Sequence, residues 1–119
     1  MKVLICDATA ASAIEQMRQA GLEVVDQPDI TPEELMQVIG EYQGMVVRSR
    51  TKVREPLIDQ ATDLKVIVRG GVGLDNIDVA YAQSKGISVL NTPSASSDSV
   101  AELAIGYMFA LARRIPQMT

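Results

Sequence analysis

No histidine occurs anywhere in the chain. That absence removes the commonest general acid–base and the usual zinc ligand, so neither a proton relay of the ordinary kind nor a common metal site can be assembled. Tryptophan is also missing and aromatics make up only 3% of residues, so the core must be built from Val, Ile, Leu, Ala and Met. A nucleic-acid binder would carry a basic patch interleaved with stacking rings, and a net charge of −4 with few rings excludes that class. Cysteine is nearly absent too. Cys6 stands alone inside an apolar run, so no internal disulfide can form and a reducing, cytoplasmic setting is expected.

Long hydrophobic runs are lacking as well. Lys2 precedes VLIC, but Asp7 interrupts after four apolar residues, short of the roughly 7 to 15 of a signal sequence. Residues 100–112 are nearly uncharged, yet 13 residues fall short of the roughly 18 that span a bilayer.

What is present is a rhythm. Apolar runs at Val3–Cys6, Leu22–Val25, Met45–Val47, Val66–Val68 and Ile87–Leu90 read as strands. Helices are expected between them. Ser12 and Glu15 have capping-box spacing for the first, which runs to Ala20 with Gly21 as its stop. Thr31 followed by Pro32 opens a second, ending at Gly40. A short third surrounds Arg54–Ala61, with Pro56 in its first turn, and a fourth covers Asp78–Lys85 before Gly86. Five strands alternating with four helices over short connections predict an α/β, flavodoxin-like, doubly wound parallel sheet of order 2-1-3-4-5.

After the fifth strand the pattern breaks. Asn91-Thr92-Pro93-Ser94 reads as a linker. Ser99 and Glu102 form another capping-box pair, opening a long apolar helix expected to run until Pro116. Val100, Leu103, Ala104, Ile105, Met108, Phe109, Leu111 and Ile115 occupy more than one of its faces. A helix apolar nearly all round needs several neighbours, so a second copy or a longer chain is expected against it. The division that follows is a domain over 1–93, then a linker and crossing helix over 94–119.

The chemistry concentrates around VIVRGGVGLDNID, residues 66–78. A strand emptying into Gly70-Gly71-Val72-Gly73 and then a helix start would aim bare N–H groups at an anion. A tight connection without a ligand is the competing reading. Arg69 stands beside this turn, and Arg48-Ser49-Arg50 follows the preceding strand, at the same carboxyl edge of a parallel sheet. Guanidinium groups suit carboxylate and phosphate, although solvated loop arginines would look the same. The turn is not a complete dinucleotide fingerprint, because Asn76 holds the place of the third glycine and no acid follows the next strand. Asp75, Asp78 and Glu102 are read as helix-start charges. No catalytic set and no metal site can be built from these residues.

Three segments together, MVVRSRTKV, VIVRGGVGLDNIDVAYAQSKGISVLNTPS and SVAELAIGYMFALARRIPQ, resemble the front part of the NAD-dependent D-2-hydroxyacid dehydrogenase family. The resemblance covers the whole chain. It implies a substrate domain that crosses into a nucleotide-binding domain, with a dimer interface on the helix after the crossing. By position, Arg48, Ser49, Arg50 and Arg69 look like contacts to a small anionic, phosphoglycerate-like substrate. Gly71, Val72 and Gly73 look like the cradle for its carboxylate, with Asn91 bordering it. Val72 and Val100 would face the cofactor NAD. The family's dinucleotide loop, ribose-binding acid and catalytic arginine, glutamate and histidine have no counterpart here. The resemblance therefore implies part of an oxidoreductase, inactive and without tightly held NAD on its own. A stand-alone binding or regulatory module is the alternative.

Overall fold

The computed structural model describes residues 1–92 and 97–118, with side chains omitted at 97–99 and 112–118. Five strands, β1 (Lys2–Ile5), β2 (Glu23–Asp26), β3 (Gly44–Val47), β4 (Val66–Arg69) and β5 (Ser88–Asn91), form one parallel sheet in the order β2-β1-β3-β4-β5. The expected order is therefore the observed one. Pairing register is continuous across the middle, with Ile5 opposite Val46, Val47 opposite Arg69, and Arg69 opposite Asn91. The C-terminal ends of β3, β4 and β5 thus lie side by side.

Alternation along the strands divides the core in two. Leu4, Met45, Val47 and Ile67 point to one face with Leu35, Ile39, Leu57 and Ile58. Val3, Ile5, Val46, Val66 and Val68 point to the other with Ile14, Met17, Ala101, Ala104 and Met108. The first face is covered by α2 (Pro32–Val38), α3 (Glu55–Gln60) and α4 (Val79–Ser84), and the second by α1 (Ala11–Gln19) and α5 (Ser97–Met118). Gly44 matters to the second face. A methyl group there would stand 2.6 Å from the Met108 Cε, so its absence lets α5 lie close on the sheet.

Several helix ends depart from expectation. Ser12 does not cap α1, which begins earlier, at Ala11. The Ala10 carbonyl already accepts from the Ala13 and Ile14 N–H groups, and the Thr9 hydroxyl closes a turn onto the Asp7 carbonyl at 3.0 Å. Gly40 does not terminate α2 but lies within a following 3-10 turn, Ile39–Glu41. Asp78 caps nothing with its side chain and pairs with Arg54 at 3.0 Å instead. The long last helix starts at Ser97, placing Ser99 inside it, and continues past Pro116. A proline removes one N–H rung, which near a helix end need not terminate the coil. The long apolar crossing helix expected here is not found: this helix packs one-sidedly on the sheet, with Val100, Ala101, Ala104 and Met108 buried against it and Glu102, Gly106, Phe109 and Ala110 exposed. Of the expected linker Asn91–Ser94, Asn91 instead ends β5, paired opposite Arg69, and Thr92 is buried behind it, while Pro93 and Ser94 lie outside the described residues.

The cap at Thr31 formed as anticipated. Its hydroxyl accepts from the Glu34 N–H at 3.2 Å, and the Glu34 carboxylate accepts from the Thr31 N–H at 3.1 Å. The Thr31 N–H first, and then the Thr31 hydroxyl, which donates to the same carboxylate oxygen at 3.0 Å, hold the Glu34 carboxyl below its ordinary pKa. A carboxylate favoured in the fold contributes stability above its unfolded pKa and loses it as pH falls through the lowered folded value. Thr31→Ala should therefore cost about 1 kcal/mol in urea unfolding near neutrality, with the deficit shrinking as the pH drops below the ordinary value of 4.5.

Candidate functional site

At the carboxyl edge of the sheet, the loop after β3 meets the turn after β4. The Gly70 N–H donates to the Val47 carbonyl at 2.9 Å, and Gly70 faces the Arg48 Cγ at 3.6 Å from where its own Cβ would stand. The two anion-binding elements predicted from sequence are therefore neighbours.

The loop is fixed by a buried side chain on each side. Asp7, 3% exposed, accepts the Arg48 N–H at 2.6 Å and the Thr51 N–H at 3.2 Å on Oδ2. Its Oδ1 accepts the Thr51 hydroxyl at 2.6 Å and forms an ion pair with the Arg50 Nε at 3.0 Å. Asn76, 4% exposed, donates through Nδ2 to the carbonyls of Arg48 at 2.6 Å and Thr51 at 2.7 Å. A carboxylate can only accept and an amide nitrogen only donates, so the two side chains satisfy opposite ends of the same two residues.

The arginines separate in role. Arg50 spends three of its five N–H groups on the frame, donating to the Ile30 carbonyl at 3.2 Å, the Pro28 carbonyl at 2.9 Å and the Cys6 carbonyl, and it pairs with the Asp7 carboxylate through Nε at 3.0 Å. It ties together the loops after β1, β2 and β3, so its guanidinium is not free to take an anion as the sequence reading expected. Arg48 is exposed and its side chain has no hydrogen-bond or ionic partner among the described residues. Ser49 is exposed beside it. Arg69 is half-buried and curls beneath the glycine turn: Nη1 donates to the Gly70 carbonyl at 2.8 Å, and Nε is buried without a partner.

The turn itself is built on glycine for cause. Gly71 has φ +138°, and a Cβ there would lie 2.1 Å from the Arg69 Nη1. Its N–H donates to the Thr92 hydroxyl at 2.8 Å, so it is not free for a ligand. The Val72 and Gly73 N–H groups have no partner among the described residues, and Val72 is 68% exposed. Asn91 steadies the turn by donating to the Val72 carbonyl at 3.1 Å. The anticipated helix N-terminus does not contribute. Five residues, Leu74 to Asp78, separate Gly73 from Val79, where α4 opens, because the Val53–Ile77 bridge and Asn76 tie that stretch to the Arg48 loop. Val100, 4% exposed, sits behind Gly70 and forms a wall beside Arg48 and Ala8–Ala10.

What survives is one unpaired guanidinium, a half-buried second one, and two bare amides at a shared rim. That set can bind an oxyanion by charge and paired donors. No group of metal-ligating side chains exists among the described residues, and none of their helices is long and apolar enough to cross a membrane. The residues missed from sequence were Asp7, Thr51, Asn76 and Thr92, all buried and polar. Their signal was position, since Asp7, Thr51 and Thr92 lie within four residues of a strand's C-terminal end and Asn76 closely follows the glycine turn.

The family defined as D-isomer specific 2-hydroxyacid dehydrogenase, catalytic domain, matches residues 3–115, and the chain belongs to it. Among individual relatives, the D-3-phosphoglycerate dehydrogenase of Methanocaldococcus jannaschii is 50% identical over the full chain, which spans 22% of that protein. The hydroxypyruvate reductase of Thermotoga maritima is 52% identical over 87% of the chain and 33% of its own length. The crystal structure of NAD+-bound 3-phosphoglycerate dehydrogenase from Entamoeba histolytica superposes with a TM-score of 0.70 at 36% identity, over 91% of this chain and 38% of that one. The chain thus spans about a fifth of the length of the phosphoglycerate dehydrogenase it matches.

The division of labour between the arginines is measurable. Losing one partner of a buried pair can cost 3–5 kcal/mol, but Asp7 keeps three other donors and Arg50 is half exposed. Arg50→Ala should therefore destabilise by about 2 kcal/mol in urea unfolding, against less than about 0.5 kcal/mol for Arg48→Ala.

Proposed function

We propose that the chain is the substrate-binding part of an NAD-dependent oxidoreductase that transfers hydride between NAD and 3-phosphoglycerate. The observation that carries this reading is the unpartnered Arg48 beside the free Val72 and Gly73 amides, in a chain half identical to a phosphoglycerate dehydrogenase. Residues 1–93 would form the substrate domain, and 94–119 the linker and first helix of a nucleotide-binding domain.

Within it, the Val72 and Gly73 N–H groups would hold the substrate carboxylate, and Arg48 would take the phosphate, with Ser49 beside it. Arg69 would add positive charge from beneath the turn. NAD, when bound to the longer protein, supplies the acceptor for the hydride. Exposed Val72 fits an apolar wall for a flat ring, whereas Val100 is too deeply placed behind Gly70 to be more than support. No residue described here completes a dinucleotide site, so this chain alone should neither hold NAD tightly nor turn over substrate.

A second reading within the family is favoured by one observation. With Arg50 committed to the frame, a single free guanidinium suffices for a singly charged hydroxyacid, and the hydroxypyruvate reductase relative is as similar as the phosphoglycerate enzymes. A homo-oligomer through residues 99–115 belongs to the same proposal, supported by Phe109, 57% exposed beside Met1, Leu22 and Ile105. A cytoplasmic location accords with the lone buried thiol of Cys6.

Kinetics separate the two readings. In the full-length enzyme, Arg48→Ala should raise KM for 3-phosphoglycerate at least about tenfold and leave KM for hydroxypyruvate within about twofold. An unchanged constant for the phosphorylated substrate would rule out the first reading. Light scattering of the chain at high concentration checks the oligomer, for which a clean monomer would be the contrary result.

A further inference from the structure

We propose that Asn76 is a positioning residue for anion binding, acting through the backbone of Arg48 and Thr51 against the fixed carboxylate of Asp7. The proposal rests on the reading that Arg48 and the Val72–Gly73 amides share one ligand.

The Arg48 side chain has nothing of its own to hold it, so the location of its guanidinium depends on where its peptide is pinned. The peptides on either side of its Cα are both gripped: the Arg48 N–H by Asp7 at 2.6 Å and the Arg48 carbonyl by Asn76 at 2.6 Å. Thr51 is gripped the same way, at 3.2 Å and 2.7 Å. Asn76 has two amide hydrogens and two carbonyls to meet, which exhausts its donors. Its own backbone is fixed too, since its carbonyl accepts the Val53 N–H at 2.8 Å, and the Asp78 N–H reaches the Val53 carbonyl at 2.9 Å.

Asn76 also lies three residues beyond Gly73, on the same segment as the free amides. The residue that sets the Arg48 loop is therefore carried by the turn that supplies the other half of the site. Removing its side chain would leave both halves intact and joined by the Gly70–Val47 bond and the Val53–Ile77 bridge, but would free the Arg48 and Thr51 carbonyls and loosen the spacing between the halves. Binding by two convergent groups needs both within a fraction of an ångström of the right separation. Asp7 cannot take over, because it meets only N–H and O–H groups and has nothing to offer a carbonyl.

The test uses this chain with D-3-phosphoglycerate as the probe, following the Val72 and Gly73 amide resonances. Asn76→Ala should weaken the apparent affinity about tenfold, and Arg48→Ala at least as much. The double variant should be no worse than Arg48→Ala alone, because Asn76 has no route to the anion except through Arg48. A merely structural role would instead weaken both backgrounds equally, and that additivity would overturn the proposal. Asn76→Gln, which keeps the amide but displaces it, replaces the alanine variant in the cycle if the latter fails to fold. In the unaltered chain, the Asn76 side-chain NH2 resonances should shift with the same midpoint as the two amides, and an unmoved pair would count equally against it. No response at Val72 and Gly73 in the unaltered chain would remove the shared anion site itself, a result distinct from a responsive site indifferent to Asn76.

Discussion

A buried carboxylate at the end of the first strand holds the working edge of this domain together. Asp7 is desolvated, so it must be met by donors on both oxygens, and four groups from the loop after β3 meet it. The loop cannot shift without stranding a charge. Because β1 sits between β2 and β3, the same carboxylate also anchors Arg50, which gathers carbonyls from the loops after β1 and β2. Three connections that share no sequence proximity are thereby made into one surface. The glycine turn rests against that surface through Gly70 and Asn76.

The scaffold was readable in the residues because its determinants are local. Unbroken burial of short aliphatic runs, glycine at helix ends and the proline at the first turn of α2 each act within a few positions, and they agree with one another. The wrong details have local explanations too. Ser12 had the spacing for a cap, but an earlier turn at Asp7–Thr9 set the start of α1 before it could serve. The glycine turn had the composition of an anion-binding helix entry, but a bridge between Val53 and Ile77 diverts the chain before α4 begins.

The site was half readable. Which elements converge follows from strand order, and Arg48 and Gly71 do lie at one edge. Which arginine is free does not follow, because Arg48 and Arg50 are chemically alike and two residues apart. Only the carbonyls of Cys6, Pro28 and Ile30, brought near by the fold, decide that Arg50 is occupied and Arg48 is not. Likewise, Gly71 reads as a donor to a ligand until the Thr92 hydroxyl is seen to take its N–H. Such assignments depend on partners 20 to 44 positions away, which no local pattern encodes.

The contact between Gly44 and Met108 has an evolutionary corollary. A bare position in β3 and a long, pliable thioether on α5 fill one space between them. Because the thioether end can swing aside, a methyl at 44 is compatible with methionine at 108, and the glycine becomes obligatory only where a stiff, branched residue stands at 108. Homologous chains in which α5 keeps this seat should therefore hold glycine at 44 most strictly where 108 is branched, a conditional correlation between distant columns of an alignment.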